Sequence, residues 1–593
     1  MKVLKGLQNT WEKIMYILSR GQKRWGIIVL ILTFFGALLE TVGVSIIVPL
    51  VQVLLNPEAL LGNQYVIKCM EILKIEKQQI TTMIVGSVIL LYILKNIYLI
   101  FLSWVRSKYS CKIQRELSVL MLDSYMQRNY EFFVNNNTGN LIRGLTNDIT
   151  GVYGVIYQSL RILTELMTLT CICIYICISD FGLAITLIIL SAICLIVVVF
   201  GFRKQMGKLG EMNWKYNADL NQHILHVFEG IKEVIVMRKM GYFKNAYEKT
   251  YIKKQKCEVG QVVGTESPAY IIEAVCISGV LMTIYFEINK MSNGEEYIST
   301  LAALAVAAFR ILPSLGRMTN SFNLLTYQIP CLDAVYKNIL EVKEQGKKKK
   351  NQRNKVKEIG KEFVFKKSIK LENITWKYLN SKDNILENLS LEIKKGQSVA
   401  LVGQSGSGKT TLVDIILGIL TPDIGEVKID GYNLDLLMNV WNKLIGYVPQ
   451  SIYLTEESIR NNVAFGIDDE NIDDERVISA LKQAQLYDVV EQMPKGIYTT
   501  IGERGIKLSG GQRQRIAIAR ALYEKPEIVV FDEATAALDN ETEKAVMDAI
   551  EALHGNKTLI IIAHRLTTIE KCDVIYEVID KNIVKREYKD LFR

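Results

Sequence analysis

The sequence predicts a fold of two unlike parts, a helical membrane domain followed by an α/β domain with parallel strands. Six long apolar segments lie between residues 25 and 315, and strand-like and helix-like segments alternate from about residue 364 onward. The 593 residues are 49% hydrophobic, with a mean hydropathy of +0.17. This composition is typical of a folded chain of several domains and excludes a disordered or collagen-like protein.

The apolar segments have the length of membrane spans. They cover approximately residues 25–55, 80–105, 162–178, 181–202, 269–288 and 297–315. A bilayer core needs about 20 apolar residues in helical form, and six such segments in one half of a chain are unusual for a soluble core. The third and fourth segments meet at Ser179 and Asp180, which predicts a tight helical hairpin.

The basic residues indicate the orientation of the spans. Residues 106–161 and 203–262 carry seven and 12 Lys or Arg, whereas the three loops on the opposite side carry four in total. The positive-inside rule therefore predicts cytoplasmic termini. The net charge of +9 belongs to these inner loops, so it does not indicate a nucleic-acid partner.

Two charged segments border the membrane domain. Residues 11–25 are basic and amphipathic, which predicts an interfacial helix on the inner membrane face, in contact with membrane lipids. Residues 344–361 are rich in lysine and predict a charged linker. The predicted domains are an interfacial helix (1–24), a transmembrane domain (25–340), a linker (341–363) and a C-terminal α/β domain (364–593). No signal peptide is expected.

A glycine-rich loop stands between a predicted strand, residues 398–403, and a predicted helix, residues 410–420. Its sequence GQSGSGKT fits GxxxxGK(S/T) in the required strand–loop–helix context. In such a loop the backbone N–H groups surround phosphates, the lysine reaches the terminal phosphates and the hydroxyl suits Mg²⁺. The predicted phosphate-binding residues are Gly403, Gln404, Ser405, Gly406, Ser407, Gly408, Lys409, Thr410 and Thr411.

A second apolar strand, within residues 527–534, ends in two acids. Acids at the C-terminal end of a parallel strand lie where such sheets bind their ligands. We expect Asp532 to hold Mg²⁺ and Glu533 to orient or deprotonate an attacking water. A solvated loop would be the interpretation if the phosphate loop were absent.

The sequence LSGGQRQRIAIARAL, residues 508–522, resembles the signature of ATP-binding cassette (ABC) proteins. Ser509, Gly510, Gly511 and Gln512 would then contact the nucleotide of a second cassette. Other family motifs occur in order: Tyr378 resembles the adenine-stacking aromatic, Gln450 the Q-loop glutamine that serves the metal and catalysis, AALD at 536–539 the D-loop, and His564 the switch histidine. Residues 132–149 and 230–237 resemble the two cytoplasmic loops that dock on the cassette.

This resemblance implies a half-transporter with the type I ABC exporter fold, which binds ATP and Mg²⁺. One chain has one phosphate loop and one signature. If each ATP lies between the loop of one cassette and the signature of another, two chains are needed. A homodimer, which would have two complete sites, is the favoured assembly, and a heterodimer is the alternative. ATP hydrolysis would then drive a switch between inward and outward cavities.

Four charged residues lie well inside the predicted spans: Glu40, Lys95, Glu273 and Arg310. Lys95 is 15 residues from the start of its span and Arg310 is 13 from the start of its own, so both lie about 20 Å from the outer end. Intramembrane charges are costly and usually functional, and these two cations suit an anionic substrate such as a pyrophosphate. Internal pairing of Arg310 with Glu273 and of Lys95 with Glu40 is the alternative.

The membrane part resembles bacterial lipid-linked oligosaccharide flippases. The similarity lies in residues 38–51, in the order Pro268 to Glu273, and in residues 308–318. Residues 63–75 would then form a short external helix or, alternatively, a plain connector. The resemblance implies flipping of a polyprenyl-pyrophosphate glycan in the bacterial inner membrane. A general exporter of drugs, lipids or peptides is the second hypothesis, and a soluble ABC ATPase of the DNA-repair kind, which would have no spans, is the third.

Overall fold

The structure, a computed structural model, describes residues 2–46, 50, 77–179, 181–288, 294–359, 363–378, 381–533, 540–563 and 569–589. Its contacts divide the chain into two compact units. The first comprises residues 1–128 and 132–344, and the second comprises residues 129–131 and 345–593.

Long helices build the first unit. The described helices are α1 (Lys2–Ile17), α2 (Arg20–Ser45), α3 (Lys77–Met126), α4 (Tyr130–Asn135), α5 (Thr138–Arg143), α6 (Ile149–Ser179), α7 (Phe181–Glu229), α8 (Ile231–Val236), α9 (Met240–Ile288) and α10 (Gly294–Ile359), with a π-helical turn at Gly144–Asp148. Within the described residues, three stretches are long and apolar enough to cross a membrane: Arg20–Gly43, Thr82–Met126 and Thr138–Ile178. The remaining predicted spans fall within α7, α9 and α10, and the third and fourth spans meet where α6 ends and α7 begins.

The segment predicted as a linker, residues 341–363, is helical as far as Ile359, because α10 continues through it without interruption. Its lysines and glutamines are good helix formers, which explains the continuation.

The N-terminal helix also differs from its prediction. It ends at Ile17, and Trp25 lies in α2 rather than in the interfacial helix. The cause is a cap at Ser19, whose hydroxyl accepts a hydrogen bond from Gln22 N (3.3 Å) while its own N–H donates to Gln22 Oε1 (2.7 Å). Such reciprocal capping starts a new helix.

Two sheets form the second unit. The strands are β1 (Ser368–Trp376), β2 (Leu386–Lys394), β3 (Ser398–Val402), β4 (Ile424–Ile429), β5 (Tyr432–Asn433), β6 (Ile445–Val448), β7 (Ile528–Asp532), β8 (Thr558–Ile562), β9 (Val574–Ile579) and β10 (Asn582–Arg586). One sheet has the order β2-β1-β4-β5 and is antiparallel; the other has the order β10-β9-β3-β8-β7-β6. The described helices of this unit are α11 (Lys409–Ile416), α12 (Leu434–Leu444), α13 (Ile459–Val463), α14 (Asp474–Gln483), α15 (Tyr487–Glu491), α16 (Gly510–Leu522) and α17 (Asn540–Glu551).

The second sheet determines where a ligand site can form. Strands β9, β3, β8, β7 and β6 all run parallel, so their C-terminal ends lie along one edge. The central strands β3, β7 and β8 are buried at every position. Runs of this kind are covered on both faces, and their ends are the usual position of a ligand in α/β sheets.

Candidate functional site at the parallel strand ends

The glycine-rich loop lies between β3 and α11, which confirms the predicted strand–loop–helix context. Gly403, Gly406 and Gly408 have φ values of +141°, +82° and +102°, which favour glycine. A Cβ at Gly403 would lie 2.5 Å from the backbone oxygen of Val578, so a side chain there would displace the chain. The loop therefore packs closely on the sheet edge at Gly403.

Lys409 is almost fully buried, with 5% exposure. Its Nζ donates to the backbone oxygens of Gly403 and Gln404, both at 2.9 Å. Burial lowers the pKa of this ammonium, and the negative charges of Glu533 and Asp532 oppose the shift. A desolvated cation held across a loop of N–H groups has the chemistry of an anion site.

The two acids follow β7 as predicted. Asp532 is 2% exposed, and the Tyr447 hydroxyl donates to its Oδ2 at 3.4 Å. Glu533 has a φ of +52°, an uncommon conformation for a side chain of this type, and its N–H donates to the backbone oxygen of Ile562. Gln450 Nε2 donates to Glu533 Oε2 at 2.6 Å. The predicted base and the predicted Q-loop residue are thus in direct contact.

Negative charge accumulates at this edge. Burial, together with the nearby Asp532, raises the pKa of Asp414 on α11 to about 6. Burial also raises the pKa of the Tyr447 hydroxyl, as do the charges of Asp532 and Asp414. The site therefore contains acids that favour a cation. Tyr447 and Asp414 were not predicted from the sequence, although the parallel pairing of β6 and β7 could have indicated the first.

The residues present fit a nucleotide phosphate with Mg²⁺. Ser407 Oγ is buried and has no hydrogen-bond partner among the described residues, so it is available for a ligand. Thr410, in the first turn of α11, is exposed, whereas Thr411 is 7% exposed. Hydroxyl, carboxylate and amide oxygens are the ligands that Mg²⁺ prefers. Gln404 and Ser405 are exposed, and their backbone lies within the glycine-rich loop.

The signature begins at the N-terminus of α16. Ser509 accepts a hydrogen bond from Gln512 N (3.2 Å), and Gln512 Oε1 accepts one from Ser509 N (2.9 Å). Gly510 and Gly511 form the first turn. Further along, Arg520 donates to the backbone oxygens of Tyr453 and Asn462, both at 2.8 Å, and anchors the helix. The signature serine therefore has a structural role as a helix cap.

Of the remaining predicted site residues, Tyr378 lies among the described residues. Tyr378 is 43% exposed and packs edge-on against the buried Trp376, with ring centroids 4.5 Å apart. An exposed aromatic face remains for stacking. His564 and the segment 536–539 lie outside the described residues.

The family model described as the ABC transporter transmembrane region matches residues 26–294, and the one described as ABC transporter matches residues 386–536. The protein YgaD of Bacillus subtilis, whose name assigns it provisionally to multidrug export, is 30% identical over 502 residues, 82% of this chain and 81% of YgaD. The chain belongs to the ABC transporter family.

Other comparisons agree with this membership. An ATP-dependent lipid A-core flippase of Dechloromonas aromatica is 28% identical over 477 residues, 80% of this chain and 79% of that protein. A solved bacterial Atm1-family ABC exporter with ATP bound has a TM-score of 0.75 at 21% identity, covering 96% of each chain. The type I ABC exporter fold is therefore established, with a helical membrane domain and one cassette, as in a half-transporter. The protein is an ATPase coupled to export.

The predicted substrate residues lie in the membrane unit. Lys95 on α3 is 2% exposed, and its Nζ lies 4.3 Å from the centroid of the Tyr92 ring. The Arg310 side chain and its proposed pairing with Glu273 lie outside the described residues, although Glu273 itself is exposed on α9. Glu40 on α2 is partly buried.

The structure adds an ionic cluster that sequence reasoning missed. Glu165 on α6 is 7% exposed and accepts hydrogen bonds from Ser314 Oγ (2.5 Å), Arg317 Nε (2.6 Å) and Arg317 Nη2 (3.1 Å). Glu165 is three residues inside the third predicted span, and it was not singled out from the sequence. An acid within an apolar span was the signal available.

A second buried group lies near the π-helical turn. Asp148 accepts a hydrogen bond from Trp214 Nε1 at 2.9 Å, and the Arg143 guanidinium lies 3.7 Å from the centroid of the Trp214 ring. This cluster joins α5, the π-helical turn and α7. The sequence contained no motif that pairs these residues.

Proposed function

We propose that this transporter flips an anionic polyprenyl-pyrophosphate-linked oligosaccharide from the inner to the outer leaflet of the bacterial inner membrane. The observation that carries the proposal is the buried cation Lys95 in a membrane span. A charge at this position costs several kcal/mol in apolar surroundings, roughly 2.5 to 3.5 kcal/mol on insertion scales, and is usually retained for function. A pyrophosphate is a ligand that would use such a cation.

The geometry of the cassette supports specific roles in ATP hydrolysis. The loop from Gly403 to Thr411, with Lys409, would hold the phosphates, and Tyr378 would stack on the base. Thr410, Gln450 and Asp532 would hold Mg²⁺, which neutralises charge on the phosphates when bound. Glu533, whose carboxylate accepts a hydrogen bond from Gln450, would orient the attacking water. His564 would contact the terminal phosphate.

The proposed assembly is a homodimer. The chain has one phosphate loop and one signature, and Ser509, Gly510, Gly511 and Gln512 would face the phosphates of the partner cassette. Both termini and both cassettes would be cytoplasmic, in accord with the basic inner loops. ATP-driven closure would then be passed to the spans through residues 132–149 and 230–237.

The cargo assignment is also supported by the names of several relatives, which are called ATP-dependent lipid A-core flippases. Lys95 itself packs against α2, since a Cβ on Gly43 would lie 3.4 Å from Lys95 Nζ. Export of drugs is the second candidate, because YgaD is 30% identical and is named for multidrug export.

The decisive experiment is a flipping assay in reconstituted liposomes. Fluorescent lipid-linked oligosaccharide would be supplied in the inner-facing leaflet, and leaflet exchange would be followed with and without ATP. We expect ATP-dependent exchange in the wild type and none in Glu533→Gln. Lys95→Gln and Arg310→Ala should lose exchange of the anionic lipid while retaining basal ATP hydrolysis.

A cationic dye in the same liposomes tests the second candidate. If the transporter is a drug exporter, the dye will be exported by the wild type and by Lys95→Gln alike, and the glycolipid will stay in its leaflet. Stimulation of ATP hydrolysis by the glycolipid, but not by the dye, would favour the flippase. The cargo proposal fails if Lys95→Gln and Arg310→Ala flip the glycolipid at the wild-type rate.

A further inference from the structure

A cavity of 650 Å³ lies between the N-terminal half of α2 and residues 101–116 of α3, entirely within the membrane unit. We refer to it as the α2–α3 groove. Its volume lies within the range of about 300–1,000 Å³ that is usual for small-molecule sites. It is separate from the cassette site and from Lys95.

The groove is apolar at one end. Phe101 and Trp104 line this end together with Val29 and Leu32, and the two aromatic residues are 47% and 57% exposed. Tryptophan is enriched where spans meet the membrane interface. This end therefore suits a hydrocarbon chain.

The opposite end of the groove is polar and basic. Lys108 and Lys112 line it together with Gln22 and Glu116. Gln22 Nε2 donates to Glu116 Oε2 at 2.7 Å, and the Lys112 Nζ lies 4.0 Å from Glu116 Oε1. The Lys108 Nζ lies 4.5 Å from the centroid of the Trp104 ring, at the junction of the two ends. Two lysines and one acid leave a net positive charge.

The start of α2 adds to the positive charge at this end of the groove. Ser19 and Gly21, at the first turn of α2, also line the polar end. A helix N-terminus carries a partial positive charge, which favours an anion. The lysines, the helix start and the aromatic end together define an amphipathic site with an anionic preference.

We infer that the α2–α3 groove binds one anionic glycerophospholipid of the inner leaflet, with its acyl chain on Phe101 and Trp104 and its phosphate at Lys108 and Lys112. Basic pockets between transmembrane helices on the cytoplasmic side recognise anionic lipid headgroups. A free phosphate would lack the apolar contacts, and a zwitterionic lipid would lack the net charge. The site is distinct from that of the cargo, so it does not depend on the proposed function.

The chain offers variants that block the groove in two independent ways. Gly21→Leu fills it, because a Cβ at Gly21 meets no atom within 4 Å. Its matched control is Gly86→Leu, since Gly86 is equally open and lies on α3, outside the groove. Lys108→Gln with Lys112→Gln removes both charges, and Lys253→Gln, at an exposed position on α9, is the control.

The test is native mass spectrometry of the full-length protein in detergent, titrated with phosphatidylglycerol or with phosphatidylcholine. We expect one phosphatidylglycerol to bind preferentially. The double lysine variant should bind it about 25-fold more weakly, since each lysine near anionic lipid contributes about five-fold. Gly21→Leu should abolish this binding, and both controls should bind as the wild type does. Inorganic phosphate at millimolar concentration should not compete.

Three results would overturn the inference. They are equal affinity for the two lipids in the wild type, unchanged phosphatidylglycerol binding in the double lysine variant, and displacement of the lipid by inorganic phosphate. Because both lysines are exposed, their substitution is expected to leave folding intact, which keeps the test valid even if Gly21→Leu fails to fold.

Discussion

In the cassette, the polar side chains of the site stand within a few residues of strand ends, whereas in the membrane unit they pair across long stretches of sequence. Tyr447 lies on β6, and the neighbouring β7 carries Asp532 at its end. In the membrane unit, Arg317 contacts Glu165 from 152 residues away, and Arg128 contacts Glu341 from 213 residues away. The cassette site depends on strand order and local turns. The contacts in the membrane unit depend on the packing of long helices against one another.

This difference has a consequence for mutation. In the cassette, the groups converge on one edge and each is expected to affect the reaction. In the membrane unit, a buried ionic group stabilises the packing of helices, and its loss should affect stability before transport.

Glu533→Gln should reduce ATP hydrolysis by about 100- to 10,000-fold, the usual contribution of a positioned general base. Nucleotide binding should remain, because the phosphate loop is unchanged. Phosphate release and nucleotide affinity of the purified transporter are the measurements. Glu524→Gln, at an exposed position, is the control. A rate within five-fold of the wild type would show that Glu533 is not the base.

Glu165→Ala should lower the stability of the membrane unit by about 2 kcal/mol. Breaking a buried pair costs about 3–5 kcal/mol, and the Arg317 side chain is 38% exposed, which reduces the effect. The midpoint of thermal unfolding in detergent is the readout, with the exposed Glu248→Ala as control. Glu165→Gln should lie in between because it keeps an acceptor. An unchanged midpoint in Glu165→Ala would remove the contrast between the two units.

The same contrast explains what could be predicted from the sequence. The phosphate loop, the strand before it and the helix after it were predicted correctly because glycine positions and apolar runs determine them locally. Tyr447 and Asp414 were missed because only sheet register and burial bring them near Asp532. Glu165 was missed because its partners lie on α10, and nothing in the local sequence indicates a contact over that distance.

Boundaries were predicted less well than elements. The interfacial helix ended at Ile17 because Ser19 and Gln22 cap a new helix, a two-residue signal within a basic segment. The predicted linker was helical to Ile359 because its charged residues are also helix formers. In both places the composition was interpreted correctly, but the local hydrogen bonding determined where the helices begin and end.

A comparison of two serine caps distinguishes the structural role of the signature serine from its proposed contact with the nucleotide. Ser509 caps α16, and Ser458 caps α13 by accepting from Asn461 N at 3.1 Å. Each Ser→Ala substitution should cost about 1 kcal/mol of cassette stability. Only Ser509→Ala should also slow ATP hydrolysis, by about ten-fold, since a hydrogen bond to a charged phosphate contributes about 1.5–3 kcal/mol. Equal hydrolysis rates in the two variants would restrict Ser509 to capping.

The smallest expected effect concerns Asp414, whose pKa is raised to about 6 by burial and by Asp532. Below about pH 4 this carboxyl is protonated in both the folded and unfolded states. Between about pH 4 and 6 only the folded state keeps the proton on Asp414. The free energy of unfolding therefore falls as the pH rises through this range, and the loss is complete above about pH 6. Asp414→Asn should therefore stabilise the cassette at pH 7.5 by about 0.5–1 kcal/mol, after allowing for solvent around this partly exposed group.

Thermal unfolding of the nucleotide-free protein in EDTA, at pH 4 and at pH 7.5, measures this effect. Asp414→Asn should raise the unfolding temperature at pH 7.5 and leave it nearly unchanged at pH 4, whereas the exposed Asp548→Asn should change neither. If Asp414→Asn stabilises equally at both values, the gain comes from packing or from helix propensity. In that case the negative charge of Asp414 does not destabilise the folded cassette. Both units would then tolerate the charges that they bury, and the contrast between them would be smaller.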